Sequence, residues 1–206
     1  MNKIAKILGI SVATLGLAGG TFTNQVSAKA HVINPKKAVK NSQYGLTTPF
    51  TFTKSLQGKW YSNNNLTPDP LVINKTTFIN PHTGKQIKAV IAGKVNGTNK
   101  YLWQMSNKWQ SKHAKVFKNV ARDSFKVMDN IKWTIISPVN EKTTANGYAF
   151  TEKDEKINDQ TTIKVVFEAN PTNGKVYNQY FTSKDAADKY SAVHFKDVTY
   201  TDINWK

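Results

Sequence analysis

The chain has 206 residues and carries 29 Lys and Arg against 13 Asp and Glu, a formal charge of +16. It contains no cysteine, which excludes a disulfide framework, a thiol nucleophile and a lipid anchor attached through cysteine. Every basic residue except Arg122 is Lys, so the charge suits diffuse attraction to a polyanion and not the bidentate reading of phosphate or guanine.

Lys3 and Lys6 precede an uncharged apolar run, Ile7 to Phe22, and Val26-Ser27-Ala28 supplies small residues where a signal peptidase cuts. Ala28-Lys29-Ala30 offers a second cut two residues on. The run is short for a membrane span. Residues 1–28 are therefore expected to be a signal peptide and the remainder a secreted, extracellular protein. The final stretch, TYTDINWK, has neither a hydrophobic tail nor a sorting motif, so any association with a Gram-positive style of cell surface is expected to be non-covalent. Residues 29–206 hold 27 basic and 13 acidic residues. For an exported chain the matching polyanion is a cell-wall polymer, a membrane surface or an acidic glycan, and specific nucleic-acid binding is not expected.

Residues 29–50 mix Lys, Asn, Thr, Pro and Gly without periodicity and read as a flexible basic arm carrying Lys36, Lys37 and Lys40. From Thr51 the pattern has a period of two. Ile87, Ala89, Ile91 and Val95 alternate with Gln86, Lys88 and Lys94. Ile131, Trp133 and Ile135 alternate with Lys132 and Thr134, and Ile163, Val165 and Phe167 alternate with Lys164 and Glu168. Such alternation predicts antiparallel sheet with one face packed and one wet. Asn96-Gly97, Asn146-Gly147 and Asn173-Gly174 supply turn chemistry. Asn80-Pro-His-Thr-Gly-Lys85 and Asn170-Pro-Thr-Asn-Gly-Lys175 are near copies and read as two hairpins sharing one turn solution.

Tyr101 to Met105 reads as strand. Lys108 to Arg122 then has a helical period, with Trp109, His113, Val116, Phe117 and Val120 on one side and Lys108, Lys112, Lys115, Lys118 and Arg122 largely on the other. This predicts a basic amphipathic helix. It either rests on an anionic membrane or closes the domain with its Lys face solvated. Ser183 to Tyr190 predicts a second short helix with Ser183 as N-cap and Asp185 in its first turn.

The β region opens with SLQGKWYS, and Gly58-Lys59-Trp60 at that position resembles the lipocalin-like, calycin-type pattern. The short helix followed by the aromatic stretch VHFKDVTY is similar to small exported proteins of lactobacillus-type bacteria. The resemblance implies an all-β fold over residues 51–206, an antiparallel lipocalin-like barrel with one or two short helices. It implies that Trp60 packs across the closed end under a basic residue, for which Lys196 and Lys206 are candidates. Thr201-Asp202 resembles a Thr-Asp pair of that family but stands at the chain end. Trp60, Trp103, Trp133, Tyr148 and Phe167 are then the candidates for plugging the barrel or lining a site for a small apolar ligand.

Catalytic signatures are sparse. Glu152-Lys-Asp-Glu155 reads as a charged loop, Glu141 and Glu168 stand apart, and no G-x-S-x-G elbow occurs. His31, His82, His113 and His194 lack ligand spacing. No cofactor, metal or catalytic residue is assigned. The sequence thus points to an exported, non-catalytic, surface-associated binding protein held electrostatically through Lys36, Lys37, Lys40, Lys108, Lys112, Lys115, Lys118 and Arg122. The alternatives are a carrier or sensor of a small apolar ligand and a secreted wall-active hydrolase.

Overall fold

Residues 43–64 and 70–202 are described in a computed structural model of the chain. Among them, ten strands form one sheet: β1 (Thr48–Pro49), β2 (Gly58–Trp60), β3 (Leu71–Ile73), β4 (Thr77–Ile79), β5 (Gln86–Ile91), β6 (Val120–Met128), β7 (Ile131–Pro138), β8 (Tyr148–Asn158), β9 (Thr161–Ala169) and β10 (Val176–Phe181). Three short helices accompany it, α1 (Asn107–Lys112), α2 (Ala114–Phe117) and α3 (Lys184–Tyr190). None of the described helices is long and apolar enough to cross a membrane.

The strands lie in the order β10-β9-β8-β7-β6-β5-β4-β3-β2, with β1 beside β5. Pairing is antiparallel except between β5 and β6, where Lys88, Ala89 and Val90 face Val120, Ala121 and Arg122 in parallel register. Parallel neighbours cannot be joined by a tight hairpin, so the chain needs a crossover. Residues 92–119 supply it. The sheet is therefore mostly, not wholly, antiparallel.

The two ends of this sheet approach one another. Tyr61, just past β2, and Phe181, the last residue of β10, form an antiparallel bridge in which each N–H donates to the other's carbonyl, at 2.8 and 2.7 Å. Pairing does not continue beyond that bridge, so the sheet is not closed along its length.

Packing divides into three layers. One cluster takes a side chain from every strand from β2 to β10: Trp60, Leu71, Phe78, Ala89, Ala121, Ile136, Phe150, Val166 and Tyr180, together with Phe50, Phe52 and Leu56. A sheet whose strands all contribute to one cluster is strongly coiled. The opposite face of β7–β10, including Trp133, Ile135, Val165, Phe167 and Phe181, is covered by Ala187 of α3 and by Phe195 and Val198. The third cluster joins Leu46, Val90, Val95, Leu102, Phe117 and Val139 beneath the crossover.

These layers correct several expectations. The arm of residues 29–50 does not extend to 50. Leu46 and Phe50 are buried and Thr48–Pro49 pairs with Ile91–Val90, while residues 29–42 lie outside the described residues. The alternating strands do not have one wet face, because α3 and the crossover cover the outer side as well. The predicted helix over 108–122 is broken at His113 (φ −109°, ψ 13°), the chain takes a left-handed turn at Asn119, and Val120 onward is strand. Leu102–Gln104 is a single 3₁₀ turn and not strand. The helix after Ser183 forms as expected, with the Ser183 side chain accepting from Ala186 N–H at 3.1 Å.

Candidate functional site

Two features of the fold gather chemistry-bearing residues. The first is a polar cluster around Glu168. This side chain follows the apolar run Val165-Val166-Phe167 in β9 and is 0 % exposed. It faces Phe150 on one neighbouring strand and Asn178 on the other. A register shift between Val176 and Asn178 breaks the alternation of β10. Through it both Tyr177 and Asn178, with Tyr180, reach the carboxylate. Tyr177 O–H donates to Oε1 at 3.1 Å, Tyr180 O–H to Oε2 at 2.7 Å and Asn178 Nδ2 to Oε2 at 3.5 Å.

His82, from the β4–β5 loop, places Nε2 3.3 Å from Oε1, and its ring stacks on Tyr148. Asn80 of the same loop donates to Tyr148 Oη at 2.7 Å. Burial raises the Tyr177 and Tyr180 hydroxyls well above the usual phenol range, and the Glu168 charge adds to it. Tyr148 is raised by burial too, with Asn80 opposing and Glu168 adding. Tyr177 and Tyr180 therefore remain protonated donors to Glu168 at neutral pH, and Tyr148 a protonated acceptor from Asn80. The arrangement surrounds one acceptor with donors, ties the β4–β5 loop to β9 and β10, and holds an imidazole at the surface.

The second feature is the crossover. Residues 92–119 carry Lys94, Lys100, Lys108, Lys112, Lys115 and Lys118 and no acidic residue. All six lysines are exposed. Among the described residues, the ion pairs involve Lys153, Lys164 and His82 and none of these six. The apolar side of α1 and α2 is already used. Phe117 is buried, and Trp109 and Val116 pack with it against Leu46, Val90 and Leu102. Trp109 also meets Tyr44 edge-on at 5.9 Å and stacks on His113 at 4.1 Å. A membrane-inserting role for Trp109 and Phe117 is thus not what their placement offers, and the Lys side alone faces solvent.

The net charge follows the same division. Residues 29–122 contain sixteen basic residues and one acid, whereas residues 123–206 contain eleven and twelve. Four of the sixteen, Lys29, Lys36, Lys37 and Lys40, lie outside the described residues and Arg122 is in β6; the other eleven, all Lys, belong to the β1–β5 half and the crossover.

The other expected positions are scattered over the fold. Lys108, Lys112, Lys115 and Lys118 stand together on the crossover, and Lys36, Lys37 and Lys40 lie outside the described residues. Arg122 does not join them. It lies in β6 with its guanidinium 4.4 Å over the Trp103 ring and donates to the carbonyls of Lys142 and Thr143 at 2.9 and 3.3 Å. Trp60 is in the cluster shared by all the long-path strands, and Tyr148 packs against that cluster. Trp133 and Phe167 are buried on the opposite face, under the C-terminal layer. Trp103 is on the crossover, stacked on Tyr101. Of the five aromatic candidates, only Trp60 and Tyr148 border the inner cluster. No described Lys or Arg stands over the Trp60 ring, and Lys206 lies outside the described residues.

The chain matches no family model, no curated protein and no solved structure. Its chemistry must be read from its own residues. Among the described residues no group of His, Asp and Glu has a metal-holding arrangement. The Glu168 cluster is hidden in the sequence because the alternation of Lys164 and Glu168 with apolar neighbours reads as a solvated face. The available signal is the unbroken Val165-Val166-Phe167 run, the mark of a strand buried on both sides.

Proposed function

We propose that this is an exported, non-catalytic binding protein with a lipocalin-like barrel fastened at the Tyr61–Phe181 seam, held electrostatically to an anionic envelope polymer. The observation that carries the reading is the crossover: six exposed lysines, no acid, and an apolar side committed to the protein's own core. Lysines on a packed segment present their charge without the cost of ordering the backbone, and Lys as a point charge tolerates a polymer of irregular geometry. The aromatic side chains of the inner cluster occupy the space an apolar cargo would take, which favours the surface over the interior as the place of binding.

Binding of the protein lacking residues 1–28 to washed Gram-positive walls, with and without their anionic polymer, tests this across a salt series. Steep loss with salt is expected because exposed charges are screened within about 10 Å at moderate ionic strength. Replacing Lys108, Lys112, Lys115 and Lys118 with Gln should weaken binding about tenfold or more, since each charge near an anionic surface contributes on the order of 1 kcal/mol. Binding that ignores both salt and these substitutions would sink the proposal. Loss of turbidity of the wall suspension in the same experiment would favour a hydrolase instead.

A further inference from the structure

The β7–β8 ladder holds only through Thr134–Ile136 and Phe150–Tyr148, although β7 begins at Ile131 and β8 runs on to Asn158. The β6–β7 hairpin leaves β8 because its tip has another partner. Met128 and Trp133 pack with Ala149, Ala169 and Val176, and a Cβ on Gly174 would meet Met128 at 3.1 Å. Lys126 Nζ donates to the carbonyls of Pro171 and Thr172 at 3.2 and 3.1 Å. At the fork, Thr151 O–H donates to the Lys132 carbonyl at 3.1 Å in place of the ladder. A pocket of about 150 Å³ lies there, between the 53–56 turn and strands β6, β7 and β8.

The walls of this pocket define a ligand. Thr53, Ser55 and Thr134 are among its lining residues, with the Ser55 hydroxyl donating to Thr53 Oγ1 at 3.3 Å, and Phe125 forms an apolar side that is 46 % exposed. Its acid, Glu152, is already paired with Lys164, which also holds Asp154 at 3.2 Å. Its cation is not: Lys132 takes no part in the ion pairs among the described residues, and its ammonium is held 4.2 Å over the Phe125 ring. A cation over an aromatic face is attracted by the ring's quadrupole, which fixes where the charge stands. The volume is below the roughly 300 Å³ at which sites for drug-sized molecules begin, so only a small ligand fits.

We propose that this fork pocket binds a small hydroxylated anion, a polyol or sugar unit bearing one phosphate or carboxylate, with the acid group on Lys132 and the hydroxyls on Thr53, Ser55 and Thr134. This site is separate from the crossover and does not depend on binding there.

Amide NMR titration of the protein lacking residues 1–28 tests the proposal, using glycerol 3-phosphate, gluconate, inorganic phosphate and glycerol as probes. Saturable shifts at Phe125, Thr134 and Thr151 with glycerol 3-phosphate or gluconate are expected, and whichever binds tighter identifies the acid group. Because a hydrogen bond to a charged partner contributes about 1.5–3 kcal/mol, Lys132→Gln should weaken binding roughly tenfold to a hundredfold. Lys118→Gln should leave it unchanged. The proposal is overturned if no probe saturates at millimolar concentration, if shifts map to the crossover lysines, or if Lys132→Gln binds as well as the parent. Equal affinity for inorganic phosphate would also overturn it, by removing the role of the hydroxyls.

Discussion

Gly58 shows how much a single residue can specify. Its φ of +150° is one that residues with a side chain rarely adopt, and a Cβ there would stand 3.5 Å from Trp60 Nε1. The indole folds back over it to donate to the Leu56 carbonyl at 2.9 Å. The Gly-x-Trp spacing was legible because it encodes that fold-back locally. Glu168 was not legible, since its four partners, the donors Tyr177, Asn178 and Tyr180 and the imidazole of His82, come from the β4–β5 loop and from β10. Tyr180→Phe should therefore cost about 1.5–3 kcal/mol in urea unfolding, the worth of a buried hydrogen bond to a charge. A change within error would mean that the remaining donors suffice. Asp123 acts in the opposite sense. Burial raises its carboxyl well above the usual range, and the Val90 N–H donated to Oδ2 at 3.2 Å only partly offsets this. The native state then holds the proton more tightly than the unfolded chain, so stability is greatest below the unfolded pKa, near 4, and declines as pH rises towards the folded value. Asp123→Asn should flatten that decline when urea midpoints are compared from acid to neutral pH. An unchanged profile would exclude Asp123 as its source.

At the level of elements, the two six-residue loops reach the same conformation from near-identical sequence. Asn80 and Asn170 each receive the Gly amide at 2.8 Å, donate their own amide to the Lys carbonyl at 3.0 Å, and accept through Oδ1 from the residue two positions on at 2.8 Å. Turn chemistry is a local property, which is why the sequence exposed it. The β6–β7 turn uses Asp129 and Asn130 at φ 50° and 60° and offered no Gly as a cue. The crossover defeats sequence reading for a different reason. Its apolar spacing is helical, but it must deliver the chain to a parallel strand at Val120, and that tertiary demand ends α1 at Lys112 and α2 at Phe117. Gly97 and Gly174 separate conformational from packing costs. Both have φ above +70°, but nothing lies within 4 Å of a Cβ at Gly97. Gly97→Ala should cost about 1–2 kcal/mol, the penalty of the left-handed region alone. Gly174→Ala should cost more, because Met128 must give way. Equal shifts in thermal midpoint would show that the β6–β7 tip does not press on that loop.

Across the whole molecule, charge and topology divide at the same place. The parallel β5–β6 junction separates residues 43–119, with eleven Lys and one acid, from residues 120–206, with twelve basic and twelve acidic residues. Composition alone announced the charge, whereas its segregation onto one half acquired meaning only when the strands were placed. The seam between Tyr61 and Phe181 has a kinetic counterpart. It joins residues 120 positions apart by a single bridge, while β6–β7 and β8–β9 are hairpins of neighbouring segments. Closing so long a loop carries an entropic penalty that one pair of hydrogen bonds cannot offset alone. The hairpins should form first and the seam last, so the chain spends its folding time as a coiled ribbon with two unmet edges. Those edges are where one copy would pair with another, and the single bridge that joins them in the native sheet covers only part of that opportunity.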